Sequence, residues 1–390
     1  MAKKTYTLTI RPLTGIHIGT GEELTPLDYK LTKSSSKTAA GTIVKTMYWK
    51  YSSDKILRRL IAEKKDLSAF ERAGVNGNMG ELQSFFQANC TLDDLDYLCD
   101  ITKEFEQVYN YNRAKDPYDN AARVLSMYRP EGSTRPVIPG SSLKGSIRTA
   151  VLNSRLEDLE NAAYEALLRE SNESKVQKKV LDYDDAKNDP FRCISIRDSA
   201  FSAKDTQLVG LLKNISGNKT KDTLFSLDKL QIQAEVIRGE LLEGAASAET
   251  SITIDTDLQA VSFPGKYGQS PSRITKLSME NIVESCNYFY WDEFKSEYEK
   301  FYKNVVDGTT GIIEELKKKL ETALKEKDRF IIRLGRWSQV EFVTLNENFR
   351  KPEIRRRERD LGSGNTRTVF SYNGQFVPIG WCIMTIKETV

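Results

Sequence analysis

The residues with the clearest chemical potential are two cations, Lys144 and Arg148, which stand four positions apart just after the turn-forming pair Pro139-Gly140. Positions four apart share one face of a helix, so both side chains would project to the same side. A helix N-terminus also presents free backbone N–H groups and the positive end of the helix dipole, and both attract anions. Together these features predict a phosphate-binding site formed by Gly140, Ser141, Ser142, Lys144, Gly145 and Arg148.

The local sequence also predicts the element that would hold these cations. Ser141 or Ser142 suits the N-cap of a helix, because a serine hydroxyl accepts a hydrogen bond from a free backbone N–H. Apolar residues then recur at helical spacing over 143–151, and small residues before them would let another backbone approach closely. The simpler alternative is a solvated helix face whose basic pair binds nothing. The segment lacks the pattern G-x-x-x-x-G-K-[ST], which excludes a nucleotide-binding P-loop.

Two segments of the chain resemble motifs of a known superfamily. Residues 139–150 are similar to the glycine-rich motif of the RAMP superfamily, the repeat-associated RNA-binding proteins of CRISPR effector complexes. Residues 8–21, LTIRPLTGIHIGTG, look like the first strand and the following glycine loop of that superfamily. With the sequence FVPIGW at 376–381 and the chain length, the resemblance is greatest to the fifth-subunit family of type III-A (Csm) complexes.

The resemblance implies an α+β fold made of two ferredoxin-like (RRM-type) RAMP domains, each with the element order βαββαβ. The first domain would hold residues 1–200 and the second residues 201–390. Strand and helix patterns that mix without strict βαβ alternation agree with the α+β class. A helical insertion is predicted at about 54–130, and a β-hairpin extension with a polar, basic tip is predicted at 27–50.

The remaining elements follow from hydrophobic periodicity. Strands are predicted at 5–12, 193–199, 231–238, 252–258, 330–334 and 376–387, helices at 143–185, 277–305 and 311–327, and a loop at 203–222. Within the helical insertion, the spacing of Leu95, Leu98, Ile101 and Phe105 favours a helix. The helix at 277–305 is unusually aromatic from Tyr288 to Phe301. We interpret its aromatic stripe as core or subunit interface and not as a base-stacking platform.

The resemblance implies a non-catalytic guide-RNA-binding subunit. Such a subunit would hold the 3′ portion of the crRNA, contact the Csm backbone and small subunits, meet target RNA indirectly, and support crRNA maturation in the cytoplasm. His17, Gly19 and Gly21 in the glycine loop would contact the RNA backbone without reading its sequence. Two alternatives stay open. One is a metal-independent endoribonuclease that processes the guide RNA, and the other is an adaptor that recruits host trimming nucleases.

The sequence predicts no catalytic residue, no metal site and no cofactor. RNA self-cleavage needs a group of near-neutral pKa beside the 2′-hydroxyl, and His17, the only histidine, has no second histidine as complementary acid. Asp28 lies in an early loop comparable to the one that holds a catalytic aspartate in the backbone subunit of these complexes. A lone carboxylate normally needs a metal or a cation for such chemistry, however, and loop carboxylates are mostly solvated. The acidic residues at 182–185 fit a solvated helix end.

A third basic region lies near the C-terminus and predicts a further contact with RNA or a partner. It begins with Arg333, Arg336 and Trp337, continues through the basic residues at 350–359, and ends at Arg367. Guanidinium groups bind phosphates, and guanidinium or indole faces stack on bases. The alternative is a charged helix, because acidic residues alternate with several of the arginines.

Composition restricts the class of protein. The 390 residues suffice for two domains, and 58 basic against 55 acidic residues give a formal net charge of +3, so any nucleic-acid surface must be local. The five cysteines form no C-x-x-C pair, which argues against a zinc site or a disulfide framework and suits a reducing compartment. No apolar segment has the length of a membrane span, and no signal sequence is predicted.

Overall fold

The computed structural model describes residues 3–38, 41–115, 123–170, 172–216, 232–263, 272–303, 311–349, 353–354, 357–358 and 366–388. In these ranges the helices are α1 (Ser53–Ala62), α2 (Ser68–Val75), α3 (Met79–Asn89), α4 (Lys103–Lys115), α5 (Gly140–Glu157), α6 (Asn161–Leu168), α7 (Glu173–Val180), α8 (Thr256–Gln259), α9 (Met279–Glu297) and α10 (Gly311–Ala323). The longer strands are β1 (Lys3–Pro12), β2 (Gly19–Leu24), β3 (Tyr29–Thr38), β4 (Gly41–Tyr51), β5 (Leu95–Ile101), β6 (Val124–Met127), β8 (Ile194–Ile196), β10 (Thr206–Ser216), β11 (Ile232–Ile237), β12 (Ala248–Asp255), β15 (Arg329–Arg333), β18 (Thr366–Tyr372), β19 (Gln375–Pro378) and β20 (Trp381–Glu388). Two-residue strands form three short pairs: β7 (Val137–Ile138) with β9 (Ser199–Ala200), β13 (Ser262–Phe263) with β14 (Ser272–Arg273), and β16 (Glu353–Ile354) with β17 (Arg357–Glu358).

The first large sheet is organised around β1, whose alternating sequence leaves Leu8 and Ile10 fully buried. β1 pairs antiparallel with β12 on one side and with β20 on the other. The complete order is β15-β20-β1-β12-β8. Helices α5 and α9 pack on each other and on this sheet, and the Tyr290 hydroxyl on α9 donates to the Ser146 carbonyl on α5 at 3.1 Å.

The order of elements along the chain confirms the α+β class. β1, α5, β8, β12, α9 and β20 follow the succession βαββαβ, and β15 is added at one edge. The strands of this sheet come from both sides of residue 200, because β1 and β8 each pair with β12. The division into two ferredoxin-like domains, 1–200 and 201–390, therefore stays a prediction, and the strand pairing crosses its boundary.

The second large sheet has nine strands and also combines both halves of the chain. Its order is β2-β6-β11-β10-β5-β4-β3, and β18 and β19 extend it from β10. The hairpin predicted at 27–50 is confirmed, since β3 and β4 pair antiparallel from Tyr29 to Lys50. β5 pairs with β4 only from Met47 to Tyr51, so the outer half of the hairpin extends beyond β5.

The helical insertion is only partly as predicted. Helices α1 to α4 occupy most of the range 54–130, but β5 lies between α3 and α4, and β6 follows α4. The spacing of Leu95, Leu98 and Ile101 indicated a helix, which is wrong, because this segment joins β4 and β10 as a strand. In that strand Cys99 is buried and Leu98 is exposed. The loop predicted at 203–222 is likewise a strand, β10, up to Ser216, and residues 217–222 lie outside the described residues.

The aromatic helix α9 lies in the core, as predicted. Phe289, Tyr290 and Phe294 are buried, and the Tyr290 and Phe294 rings meet the Trp381 ring of β20 edge-on. A π-helical turn, Tyr298–Tyr302, continues α9. None of the helices in the described part of the chain has the length and apolar character needed to cross a bilayer.

Candidate nucleic-acid interface

Helix α5 begins three residues earlier than its apolar stripe, at Gly140, and Pro139 occupies the N-cap position. The predicted serine cap at Ser141 or Ser142 is therefore wrong, because both residues already lie inside the helix. The Gly140 N–H donates to Asp198 Oδ1 at 2.7 Å. The positive end of this helix thus already holds a carboxylate from the chain itself.

The close backbone approach predicted at the start of α5 is confirmed at Gly140. A Cβ atom there would lie 2.1 Å from the Ile196 carbonyl oxygen, far inside van der Waals contact. Only glycine can occupy this position without moving β8. Gly145, one and a half turns later, faces open space, and Ser141 is also exposed.

The two cations of α5 bind the chain itself. Lys144 Nζ donates to the Ile194 carbonyl at 2.7 Å, and burial lowers the pKa of this amine. Arg148 donates to Asp189 Oδ1 at 2.9 Å and to the Tyr183 hydroxyl at 3.0 Å. Both side chains hold α5 against the segment that leads into β8. Phosphate binding by Lys144 and Arg148 stays a prediction, and any phosphate would compete with these contacts.

The glycine loop at 13–21 holds His17 in the core. The imidazole is fully buried, and its Nδ1 lies 2.6 Å from the Glu235 carbonyl oxygen of β11. Because a carbonyl only accepts, Nδ1 carries the proton and Nε2 keeps a free lone pair without a partner. A Cβ atom at Gly19 would lie 2.6 Å from Nε2, and the Trp337 ring centre is 4.9 Å from the imidazole.

A strained turn at 335–339 packs against this loop and is hydrogen-bonded to it. The Arg336 N–H donates to the His17 carbonyl at 2.8 Å, and a Cβ atom at Gly335 would lie 2.4 Å from the same oxygen. Trp337 and Gln339 adopt positive φ values of 65° and 71°, which side-chain-bearing residues rarely do. Such strain costs about 1–3 kcal/mol for each residue and clusters at functional sites.

The structure therefore brings residues of the glycine loop close to residues of the C-terminal basic region, which lie far apart in the sequence. Gly19 and Gly21 begin β2 in exposed positions, and the exposed guanidinium of Arg336 lies 5.2 Å from the centre of the half-buried Trp337 ring. We define Gly19, Gly21, Arg336 and Trp337 as the candidate RNA surface. A flexible guanidinium, an aromatic face and an open strand edge are suited to a phosphate backbone and an unstacked base.

Two arginines of the predicted C-terminal basic region do not belong to this surface, which corrects the prediction. Arg333 is buried and its Nη1 lies 2.9 Å from Glu297 Oε2. Arg367 is also buried and binds Glu297 Oε1 at 2.8 Å and Glu341 Oε1 at 2.9 Å. Neither guanidinium is accessible to RNA. The basic residues Arg350, Lys351, Arg355, Arg356 and Arg359 lie outside the described residues.

The carboxylates weighed as nuclease residues have structural partners. Asp28 Oδ2 accepts from the Thr25 N–H at 2.8 Å and from the Thr25 hydroxyl at 2.9 Å, which closes a turn. Asp185 caps a short helical turn, and Asp184 Oδ1 accepts from Asn188 at 2.7 Å. In the part of the chain that the structure describes, no group of three or more His, Cys, Asp and Glu has the geometry to hold a metal ion.

A buried ion pair beneath the candidate RNA surface was missed from the sequence. Glu235 of β11 is fully buried and accepts from both Nη atoms of Arg129, from the Met127 N–H at 3.1 Å and from the Tyr97 hydroxyl at 3.2 Å. The only signal for it in the sequence is an acidic residue among the apolar residues of a predicted strand, at the centre of QAEVI. This pair supports the backbone to which His17 is bound.

The buried imidazole makes stability depend on pH. Burial is the largest cause and lowers the pKa of His17 below its ordinary value of 6.5, so the folded protein resists protonation more than the unfolded chain does. The free energy of unfolding should fall as the pH drops from about 7 to about 5.5, by at most about 1.4 kcal/mol per unit. Urea unfolding at several pH values measures this slope.

His17→Gln is the control for that slope, because the chain has no other histidine. The variant should lose most of the pH dependence in this window, whatever its stability at neutral pH. An equal slope in the wild-type protein and the variant would show that His17 titrates normally in the folded state.

Comparisons with known proteins agree with the fold described above. A chain in the cryo-EM structure of a Csm–crRNA–target RNA ternary complex of a type III-A CRISPR-Cas system has a TM-score of 0.62 and 19% identity, with 98% of this chain and 100% of that chain covered. T. onnurineus Csm5 has a TM-score of 0.57 and 17% identity, with 96% and 99% covered. No curated protein sequence shows significant similarity to the chain. The RAMP superfamily sequence model matches residues 9–339, and the chain therefore belongs to the RAMP superfamily.

Proposed function

We propose that this protein is a guide-RNA-binding subunit of a type III-A CRISPR effector complex. The observation that carries the proposal is the full-length match to a chain of a Csm–crRNA–target RNA complex, which covers 98% of this chain and leaves no part of the other unmatched. Membership of the RAMP superfamily supports it. The partners are crRNA, through its 3′ portion, and the Csm backbone and small subunits, while target RNA is met indirectly.

The candidate RNA surface supplies the contacts for this role. Arg336 offers a charge-assisted hydrogen bond to a phosphate, and the exposed strand start at Gly19–Gly21 offers backbone groups. Trp337 offers an aromatic face beside them. Contacts of these kinds position an RNA backbone without reading its sequence, which suits a subunit that must accept guides of different sequence.

We propose further that the protein binds RNA without cutting it. The support is the position of His17, whose imidazole is buried beneath Gly19 and Trp337 and binds a backbone carbonyl. A general base must reach the 2′-hydroxyl of its substrate, and this imidazole has no path to solvent. The alternatives of a processing endoribonuclease and of an adaptor for trimming nucleases are outcomes of the experiment below.

Arg336→Ala is expected to weaken guide-RNA binding about tenfold, which corresponds to about 1.4 kcal/mol for one charge-assisted contact. Because one phosphate contact is lost, the slope of log K against log salt should fall by about one unit, with little dependence on RNA sequence. Filter binding with guide RNA over a range of salt measures both, and cleavage is scored in the same tubes.

Arg58→Ala is the matched control, because this arginine of α1 is also exposed and pairs with Asp54 on its own helix. Equal affinity and equal salt slope in folded Arg336→Ala and wild-type protein would contradict the proposed surface. Cutting by the wild-type protein that disappears in His17→Ala would favour the endoribonuclease. A wild-type protein that binds no RNA would favour the adaptor.

The helical insertion supports a proposal for the place of the subunit in the complex. A stacked subunit must present matching head and tail surfaces, and bulky elements on one side block one of them. Helices α1 and α3 pack on the hairpin through Tyr51, Ile56, Leu60 and Phe86, so the insertion covers that side of β4. We propose that the protein caps the backbone filament at the crRNA 3′ end.

Capping predicts one copy of the protein in each assembled particle. Complexes that lack it should still assemble but carry guide RNA with heterogeneous 3′ ends. Native mass spectrometry of the particle counts the copies, and sequencing of the bound RNA measures the ends. Several copies per particle, or a free protein that polymerises along RNA, would identify a repeating backbone subunit instead.

A further inference from the structure

A cavity of about 500 Å³ opens beside the candidate RNA surface. Strands β2 and β6 form one wall, β4 and β5 form the opposite wall, and the loop at 129–134 closes one end. Its volume lies within the range of small-molecule sites in proteins. The Arg129–Glu235 ion pair described above lies against this cavity.

The floor of the cavity is a planar stack. The guanidinium of Arg129 lies 3.7 Å from the centre of the Tyr97 ring, and both residues line the cavity. The N–H groups of Arg129 are directed to Glu235, to the Met127 carbonyl at 3.2 Å and to the Thr134 carbonyl at 3.1 Å. An entering group therefore meets these two stacked groups and not a set of unused donors, and nucleobases stack on aromatic rings and guanidinium groups.

The walls are polar but carry no net charge. Lys50 and Lys55 share the carboxylate of Asp96, at 3.2 and 2.8 Å. Glu235 beneath the floor balances Arg129, and Glu22 at the wall balances the remaining lysine charge. Such a cavity suits an uncharged base and its ribose better than a phosphate.

Hydroxyl groups complete the wall next to the glycine loop. Thr20 Oγ1 and Ser126 Oγ lie 3.1 Å apart, and Ser133 and Thr134 add two more hydroxyls. Each hydroxyl both donates and accepts, so together they match the mixed edges of bases and the 2′-hydroxyl of ribose.

The opening of the cavity is built by an irregular strand. β2 pairs with β6 at Gly19 and again at Glu23, and the register shifts between these residues. Such bulges redirect side chains and are common beside functional sites. The bulge places Gly21 of the candidate RNA surface between Thr20 and Glu22, which both line the cavity. A nucleotide displaced from RNA on that surface would meet the cavity directly.

We propose that this cavity binds one unstacked nucleoside of the guide RNA, with its base against the Arg129–Tyr97 stack and its phosphates outside on the candidate RNA surface. The proposal rests on the proposed function and adds a site that takes a single base and ribose. Base–aromatic stacking tolerates any base, so the site would fix the position of a nucleotide along the guide and not its identity.

The test uses the full-length protein and guide RNA carrying 2-aminopurine at one position in turn. One position should change fluorescence strongly on binding to the wild-type protein. Thr134→Trp, an exposed rim residue of the cavity, should remove this change and weaken binding about tenfold, the size expected for one stacked base. Glu131→Trp is the control, because it puts the same indole on the same loop outside the cavity wall and should keep the signal.

The outcomes separate this inference from the proposed function. A wild-type protein that binds no guide RNA would overturn both. Binding with no position-specific fluorescence change, or with the same change in Thr134→Trp, would overturn the proposed nucleoside site and leave the subunit role intact.

Photo-crosslinking of wild-type protein to guide RNA with 4-thiouridine gives a measurement without a variant. Crosslinks should map to β5 or to residues 129–134, and their exclusive occurrence elsewhere would also overturn the site.

Discussion

Glu297→Ala is expected to lower the free energy of unfolding by about 3–5 kcal/mol, enough to unfold a marginal domain. The Glu297 carboxylate is buried at the end of α9 and binds two buried cations, Arg333 and Arg367. Removing it takes the shared carboxylate from both guanidinium groups, while Glu341 stays beside Arg367. A buried charge without its counter-charge is among the most destabilising consequences of a point substitution.

Aromatic rings cover the guanidinium groups of Arg333 and Arg367. The Arg333 guanidinium lies 4.4 Å from the centre of the Phe342 ring and 5.3 Å from that of Trp381. The Arg367 guanidinium lies 4.0 Å from the centre of the Phe301 ring. These rings hinder both arginines from turning outward to recover hydration, so most of the cost of the lost carboxylate should appear in the free energy of unfolding.

Glu299→Ala is the control for this prediction. Glu299 lies two residues further on and pairs with Lys303 at 2.7 Å, but both side chains are exposed. Exposed ion pairs contribute at most about 1 kcal/mol. Urea unfolding of both variants measures the difference, and comparable losses of stability in the two would show that the buried network contributes no more than a surface pair.

The same network shows why part of the candidate site escaped prediction. Arginines bind phosphates, and the sequence therefore predicts RNA contacts for Arg333 and Arg367. Their burial depends on Glu297 and Glu341, which lie far away along the chain and carry no local pattern that marks them as partners. Whether a charged side chain faces solvent or an opposite charge in the core is a property of tertiary packing, which spacing along one segment does not contain.

Features that depend on neighbouring residues were predicted better. The helical stripe of α5, the hairpin of β3 and β4 and the buried aromatic face of α9 each follow from periodicity within one segment. The helix predicted at β5 is wrong, because pairing with the distant segments β4 and β10 outweighs the helical spacing of its apolar residues.

The contact between the two halves of the candidate RNA surface is also long-range. Gly19 and Gly21 belong to one sequence motif, and Arg336 and Trp337 belong to another. Neither motif predicts that the Arg336 N–H binds the His17 carbonyl or that Trp337 lies against the imidazole. The positive φ of Trp337 gives a physical reason, because no residue preference predicts a large side chain in that conformation.

Alanine should have opposite effects on the free energy of unfolding at two glycines of α5, Gly140 and Gly145. Gly140→Ala should lower the free energy of unfolding by about 3 kcal/mol, at the upper end of overpacking costs. Its Cβ atom would lie 2.1 Å from the Ile196 carbonyl oxygen and 2.7 Å from the Ile196 carbonyl carbon, and neither backbone atom can turn aside as a flexible side chain can. Separating α5 from β8 would also stretch the bond from the Gly140 N–H to Asp198.

Gly145→Ala should instead raise the free energy of unfolding by about 0.5–1 kcal/mol. A Cβ atom there meets nothing within 4 Å, and alanine is favoured over glycine inside an exposed helix because the unfolded chain loses less backbone freedom on folding. Both changes add one methyl group to one helix, so helix propensity alone predicts the same sign for the two. Urea unfolding of the two variants decides between the explanations: shifts in opposite directions require the close approach of α5 to β8, whereas stabilisation by both would mean that Gly140 has room for a side chain and that glycine there serves another purpose.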